Sequence, residues 1–145
     1  MPETEAQRAK RYAAKDVVDK LGVRPGDAVL LAGTKRDADL EKRIRAKAGR
    51  PAARVGEPAD VIVFWPERRA EITRTLRDLR ERLIPAGGIW VISAKRDKER
   101  PGRPYLGNDV IALGLAASLV DNKVCSVSDD DTAMRFVIRK SDRPA

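Results

Sequence analysis

The segment Asp60-Val61-Ile62-Val63-Phe64-Trp65 is apolar at consecutive positions, so a strand built from it must bury both of its faces. Such a strand belongs in the middle of a parallel sheet, with a layer of helices on each side. Two further short runs, Ala28-Val29-Leu30-Leu31-Ala32 and Ile89-Trp90-Val91-Ile92-Ser93, read the same way. Between the second and third runs, Ile72, Leu76, Leu79 and Leu83 recur at helical spacing, after a Pro66 suited to a helix start. Pro85-Ala86-Gly87-Gly88 then predicts a turn into the third strand.

The remaining segments complete this pattern. Ala9, Ala13, Val17 and Leu21 mark an amphipathic helix over 6–21 that Gly22 stops, and Arg24-Pro25-Gly26-Asp27 is a tight turn. Leu40, Ile44 and Ala48 carry a second helical period that ends at Gly49. A weak strand is predicted over Ala52 to Val55, and only Gly56 to Ala59 separate it from the strong one. A parallel crossover needs about a dozen residues, so the weak strand either is not parallel to its successor or is not a strand. Lys95 to Pro104 is a polar loop. Asn108 or Asp109 caps a helix to about Leu119, with Val110, Leu113 and Ala117 on its apolar side. Val124 to Val127 and Met134 to Ile138 form a terminal hairpin around Ser128-Asp129-Asp130-Asp131. The expectation is one α/β domain over 1–145: a Rossmann-like, open, mostly parallel sheet with helices on both faces and a C-terminal antiparallel hairpin. Residues 1–5 and 141–145 are expected to fray.

Composition removes several function classes. There is no histidine, so Ser-His-Asp and Cys-His catalysis and His-bound zinc are impossible within this chain, and no catalytic group stands out. A single cysteine, Cys125, excludes an internal disulfide and a multi-cysteine metal site, and it reads as a small packing residue. Asp129, Asp130 and Asp131 lack the spacing of a calcium loop and read as a turn, so no metal is expected. The acidic start and the lack of any apolar run near the ~20 residues of a membrane span point to a cytoplasmic chain without membrane insertion. A net charge of +8 favours an anionic partner, be it nucleic acid, a phosphorylated small molecule, an acidic lipid surface or an acidic protein, and charge alone does not choose among them.

Ligands of open α/β sheets sit beyond the carboxyl ends of the strands. Those ends carry Gly33, Thr34, Lys35 and Arg36, then Trp65, then Ser93, Lys95 and Arg96. Two Lys-Arg pairs facing one crevice would suit a phosphate or carboxylate; as solvated surface charge they would bind nothing. Gly33-Thr34-Lys35 lacks the spacing of a P-loop. Trp65 either stacks on a planar ligand or packs in the core, and Trp90 belongs to the core. The segment from Lys95 to Arg103 is rich in cations, with Tyr105 its one nearby aromatic, which allows phosphate contacts but offers no stacking platform. Arg74-Asp78, Arg77-Glu81 and Asp78-Arg82 stand at i,i+4 and suggest a salt-bridged solvent face.

Three stretches, Ala59-Asp60-Val61-Ile62-Val63, Pro85-Ala86-Gly87-Gly88-Ile89-Trp90-Val91 and the terminal hairpin, resemble the later part of a methyltransferase-type Rossmann domain. Leu119-Val120-Asp121-Asn122-Lys123-Val124-Cys125-Ser126-Val127 with Met134-Arg135-Phe136-Val137 resembles a small uncharacterised bacterial family, domain of unknown function 3052, which implies no activity. The methyltransferase resemblance implies S-adenosylmethionine, held by a Gly-rich turn after the first strand and an acidic residue after the second. Here the turn is Ala32-Gly33-Thr34-Lys35-Arg36, with one glycine and two cations, and Glu57 takes the acidic role only if the weak strand exists. The leading expectation is therefore a non-catalytic small-molecule-binding or protein-interaction domain on a degenerate methyltransferase-like scaffold. The alternatives are a methyltransferase with an atypical cofactor pocket, and a nucleic-acid binder that uses the basic loop.

Overall fold

The computed structural model describes residues 4, 5, 17–54 and 56–144. Five strands form one sheet: β1 (Val29–Gly33), β2 (Ala59–Trp65), β3 (Leu83–Ala94), β4 (Val120–Ser126) and β5 (Asp131–Val137), in the order β1-β2-β3-β5-β4. The first three are parallel; β5 runs antiparallel to β4, as the hairpin pattern predicts, and also antiparallel to β3. Three helices join them: α1 (Ala38–Ala48), α2 (Ile72–Arg80) and α3 (Gly107–Ala116).

The alternation of side chains along β2 divides the core. Ile62 and Phe64 point to the face covered by α2 and α3, where they meet Ile72, Leu76, Val110 and Phe136. Val61, Val63 and Trp65 point to the other face, with Leu40 and Ile44 of α1 and with Val17, Val18 and Leu21. A strand flanked by two apolar layers needs apolar residues at every position, which is the pattern that Asp60 to Trp65 displays. Of the predicted N-terminal helix, 17–20 is helical and ends at Gly22 with φ +77°; 6–16 lies outside the described residues. The turn at Arg24 to Asp27 forms as expected, with Asp27 N–H donating to Arg24 O at 3.1 Å.

Several sequence expectations are corrected. The helical stripe of α2 ends at Leu79, and Leu83 already belongs to β3. Pro66 does not open the helix: a 3-10 turn over Arg69–Glu71 intervenes before Ile72. Pro85 to Gly88 is not a turn between elements but an irregular stretch within β3, where the register jumps from Ala59↔Leu83 to Val61↔Gly88. Helix α3 starts at Gly107, and Asp109 acts from inside it, its carboxylate accepting the Leu106 N–H at 2.9 Å. The i,i+4 pairs on α2 do not form; Arg77 donates to Ala116 O and Arg82 to Arg54 O instead. In the described part of the tail, Lys140–Asp142 makes a 3-10 turn and Arg143 Nε donates to Ile138 O.

The weak strand is also absent over its described residues, 52–54; Val55 lies outside them. After α1 the chain reaches β1 only at its amino end. Ala28 O takes the Asp60 N–H on the β2 side, while the next carbonyl, Val29 O, takes Ala53 N–H on the outer edge. One hydrogen bond marks the place of a second strand. Among the described residues no helix is long and apolar enough to cross a membrane.

Candidate functional site

The carboxyl ends of the parallel strands bring Gly33, Trp65 and Ser93 to one end of the sheet, as the sequence predicts. What fills that end was not predicted. Loop 95–106 folds over it and inserts Arg103, which is 5% exposed despite its charge. The guanidinium donates to Lys35 O and Gly102 O, each at 2.8 Å, and to Pro66 O at 3.5 Å, while its Nε stands 4.0 Å from the Asp131 carboxylate. Lys35 follows β1 and Pro66 follows β2, so one side chain ties the ends of both strands together. Tyr105, 1% exposed, adds a hydrogen bond from its hydroxyl to Pro66 O. Burial pushes the phenol up to about 12, which keeps it neutral and able to donate.

Asp131 is the anionic counterpart. It opens β5 opposite Ala94 and accepts Arg100 Nη2 at 2.9 Å, a bond that holds the Arg100 guanidinium above its ordinary range. The sequence assigned Asp131 to a turn; it is instead the residue that anchors the loop's cations. The polar fit is incomplete, for Arg103 Nε, Asp131 Oδ1 and Ser93 Oγ are buried without a hydrogen-bond partner. Each such group typically costs about 1–3 kcal/mol.

The other candidate residues divide as follows. Gly33 has φ +102°, and a Cβ there would overlap the Trp65 carbonyl oxygen, so the strand ends themselves demand glycine. Thr34 donates to Glu67 at 3.1 Å. Lys35, at φ +52°, lays its side chain along Gly102. Arg36 turns back to Leu31 O at 2.9 Å and to Glu41 at 2.7 Å. Trp65 is 1% exposed within the core, which leaves no free ring face for stacking. Ser93 is fully buried. Lys95 donates to Ser126 Oγ at 2.6 Å, and Arg96 is exposed. The two Lys-Arg pairs therefore do not face one crevice. Along the basic loop, Lys98 and Arg100 are paired with Asp130 and Asp131. Cys125 is half-buried and its thiol is pushed up by burial, as suits a packing residue.

The cleft that remains between the ends of β1 and β2 is lined by Gly33, Thr34, Trp65, Pro66, Glu67 and Glu71, and holds about 160 Å³. Ordinary small-molecule pockets run to roughly 300–1,000 Å³. Glu57 sits at the opposite end of the sheet, between α1 and β2. There Arg50 contacts its carboxylate at 2.7 Å and, with the Arg54 N–H, holds it below the usual carboxylate range. It cannot serve as the acidic group beside Gly33. Sequence reasoning missed Arg103 because a buried arginine looks like any other cation of a basic loop; the one hint was its position between Gly102 and Pro104, next to Tyr105.

The fold is that of Rossmann-like methyltransferases. Solved structures similar to this chain include a SAM-dependent methyltransferase from Aquifex aeolicus (TM-score 0.66, 16% identity, covering 90% of this chain and 93% of the other). The Burkholderia thailandensis 1,6-didemethyltoxoflavin-N1-methyltransferase aligns at TM-score 0.61 and 16% identity over 88% of this chain and 77% of its own. The magnesium protoporphyrin IX methyltransferase of Synechocystis PCC 6803 aligns at 0.55 and 11%, over 96% and 90%. No family model matches the chain, and no curated protein matches it in sequence. The resemblance of the terminal segment to domain of unknown function 3052 thus finds no matching model, while the methyltransferase-like scaffold stands on structure.

Proposed function

We propose that this chain is a non-catalytic binding domain, one Rossmann-like unit over 1–145, built on a methyltransferase-like scaffold and working in the cytoplasm. The observation that carries this reading is the position of Arg103. Its guanidinium bonds to carbonyls after β1 and β2, where a ligand of an open α/β sheet would lie, and about 160 Å³ is left beside it. The lack of a strand over 52–54 supports the same reading, since Glu57, the acid that follows, lies at the other end of the sheet from Gly33, held by Arg50. In this reading the carboxyl end is closed by the protein's own loop and binding occurs elsewhere on its surface.

A second reading, an S-adenosylmethionine-dependent methyltransferase, draws support from the solved methyltransferases that align over most of this chain. It requires loop 95–106 to withdraw Arg103 and open the crevice. The buried atoms without partners lower the cost of that withdrawal. Calorimetric titration with S-adenosylmethionine and S-adenosylhomocysteine separates the two. No saturable binding by the wild type, with none gained by Arg103→Ala, is the expected result. Saturable binding together with methyl transfer to any acceptor would replace the first reading by the second.

A further inference from the structure

We propose that the amino-terminal end of the sheet carries a phosphate-binding cleft, formed by Arg135 and Lys123 above Gly88, for a small phosphate monoester. The cleft is independent of the Arg103 closure and lies at the other end of the parallel strands. It holds about 300 Å³ between Leu21-Gly22, the start of β2 and the irregular stretch of β3. That volume is at the lower edge of the small-molecule range.

Two independent features single it out. The first is a like-charge pair built into the sheet: Lys123 of β4 is the direct cross-strand partner of Arg135 of β5. Like charges directly opposite each other destabilise a sheet. Neither side chain has a hydrogen bond or ion pair with any described residue, whereas most cations at the carboxyl end are paired. Burial, with Arg143 as a further like charge, pulls the Arg135 guanidinium below its ordinary range. The second feature is the bed on which it rests. Arg135 pairs with Trp90, and a Cβ on the adjacent Gly88 would overlap the Arg135 Nε. Glycine thus lets the guanidinium lie against the backbone at the cleft wall.

Lys20 and Arg24 also line the cleft. Its two acids are already occupied by main-chain donors: Asp60 accepts the Ala28 N–H at 2.8 Å, and Asp27 accepts the Arg24 N–H at 2.9 Å. The positive charge left over matches a dianion. A planar guanidinium takes two phosphate oxygens and a lysine ammonium supplies a point charge for the third. The volume admits a phosphate and a modest organic group, not a nucleic-acid duplex.

The test is calorimetry and thermal shift with inorganic phosphate, adenosine monophosphate and a single-stranded oligonucleotide, on the wild-type chain, Arg135→Met and Lys123→Gln. The wild type should bind phosphate or the monophosphate saturably, and each variant should lose at least about tenfold in affinity. Tighter binding of the monophosphate would assign an organic phosphate, and equal binding a free phosphate. Unliganded Lys123→Gln should melt no lower than wild type, because it relieves repulsion; its exposed position keeps the test open should Arg135→Met fail to fold. Absence of saturable binding to either phosphate, or unchanged affinity in Lys123→Gln, would overturn the proposal. Binding of the oligonucleotide alone would do so as well, and would turn the surface over to nucleic acid.

Discussion

The two ends of the sheet treat a buried arginine in opposite ways. Arg103 at the carboxyl end is 5% exposed and bonds to the carbonyls of Lys35, Pro66 and Gly102 beside the Asp131 carboxylate. Arg135 toward the amino end is half-buried, faces Lys123 across the sheet and has no such partners among the described residues. A charge taken from water is tolerable when polar groups replace the water, and costly when a like charge stands beside it. The first arrangement holds strands together; the second holds an unmet demand for an anion. Charge alone does not mark a binding site: the satisfied cation closes a crevice, and the unsatisfied one lines a cleft.

Four substitutions break or sharpen that contrast. Gly33→Ala should cost about 3 kcal/mol, since the new methyl meets the Trp65 carbonyl and the backbone sits at positive φ. Urea denaturation with an unchanged slope reads this directly. A loss below about 0.5 kcal/mol would mean that the strand ends are looser than described and the crevice roomier. Arg103→Met should cost about 2 kcal/mol by leaving Lys35 O after β1 without its donor and Pro66 O after β2 with the Tyr105 hydroxyl alone. An unchanged midpoint would remove the closure from the account.

Tyr105→Phe should cost about 1 kcal/mol, the ordinary worth of one hydrogen bond. It also has a pH signature. The folded state holds this phenol at about 12, above its usual 10.0, so its contribution is complete below pH 10 and is lost as the pH rises toward 12. Melting temperatures between pH 9 and 11.5 should fall more steeply for wild type than for Tyr105→Phe. Parallel curves would contradict the burial of the hydroxyl. Lys123→Gln, the smallest effect, should raise stability by up to about 0.5 kcal/mol without ligand, the sign expected when a like-charge pair is relieved. A decrease would show the amino-end cations to be as well compensated as Arg103.

Much of the layered fold was legible in the chain. Segments apolar on both faces read as buried strands and the stripe from Ile72 to Leu79 as a helix that covers them, because burial follows local periodicity; that β1 stands at the edge of the sheet is not written in its run. Gly22, Gly26 and Gly49 punctuate as expected, since each takes a positive φ at a turn or helix end. Less of the site was legible. Gly33, Trp65 and Ser93 do gather at the carboxyl ends, yet Arg36 turns back to Leu31 O, Lys95 donates to Ser126, the Lys35 side chain lies along Gly102, and Trp65 has no free face. The stretch from Pro85 to Gly88 reads as a turn in sequence, and only its pairing along Asp60 and Val61 makes it part of a strand.

Local patterning in the chain is enough to pick out the segments that supply the core, the stops at Gly22 and Gly49 and the mixed sheet, because these depend on neighbours within a few positions. Only the tertiary structure decided that Arg103 reaches carbonyls 37 and 68 residues away, that Glu57 lies at the wrong end of the sheet, and that Lys123 faces Arg135. The worth of a charge depends on what surrounds it in space, and those surroundings come from segments distant in sequence, so no local pattern records whether a cation is met or left wanting.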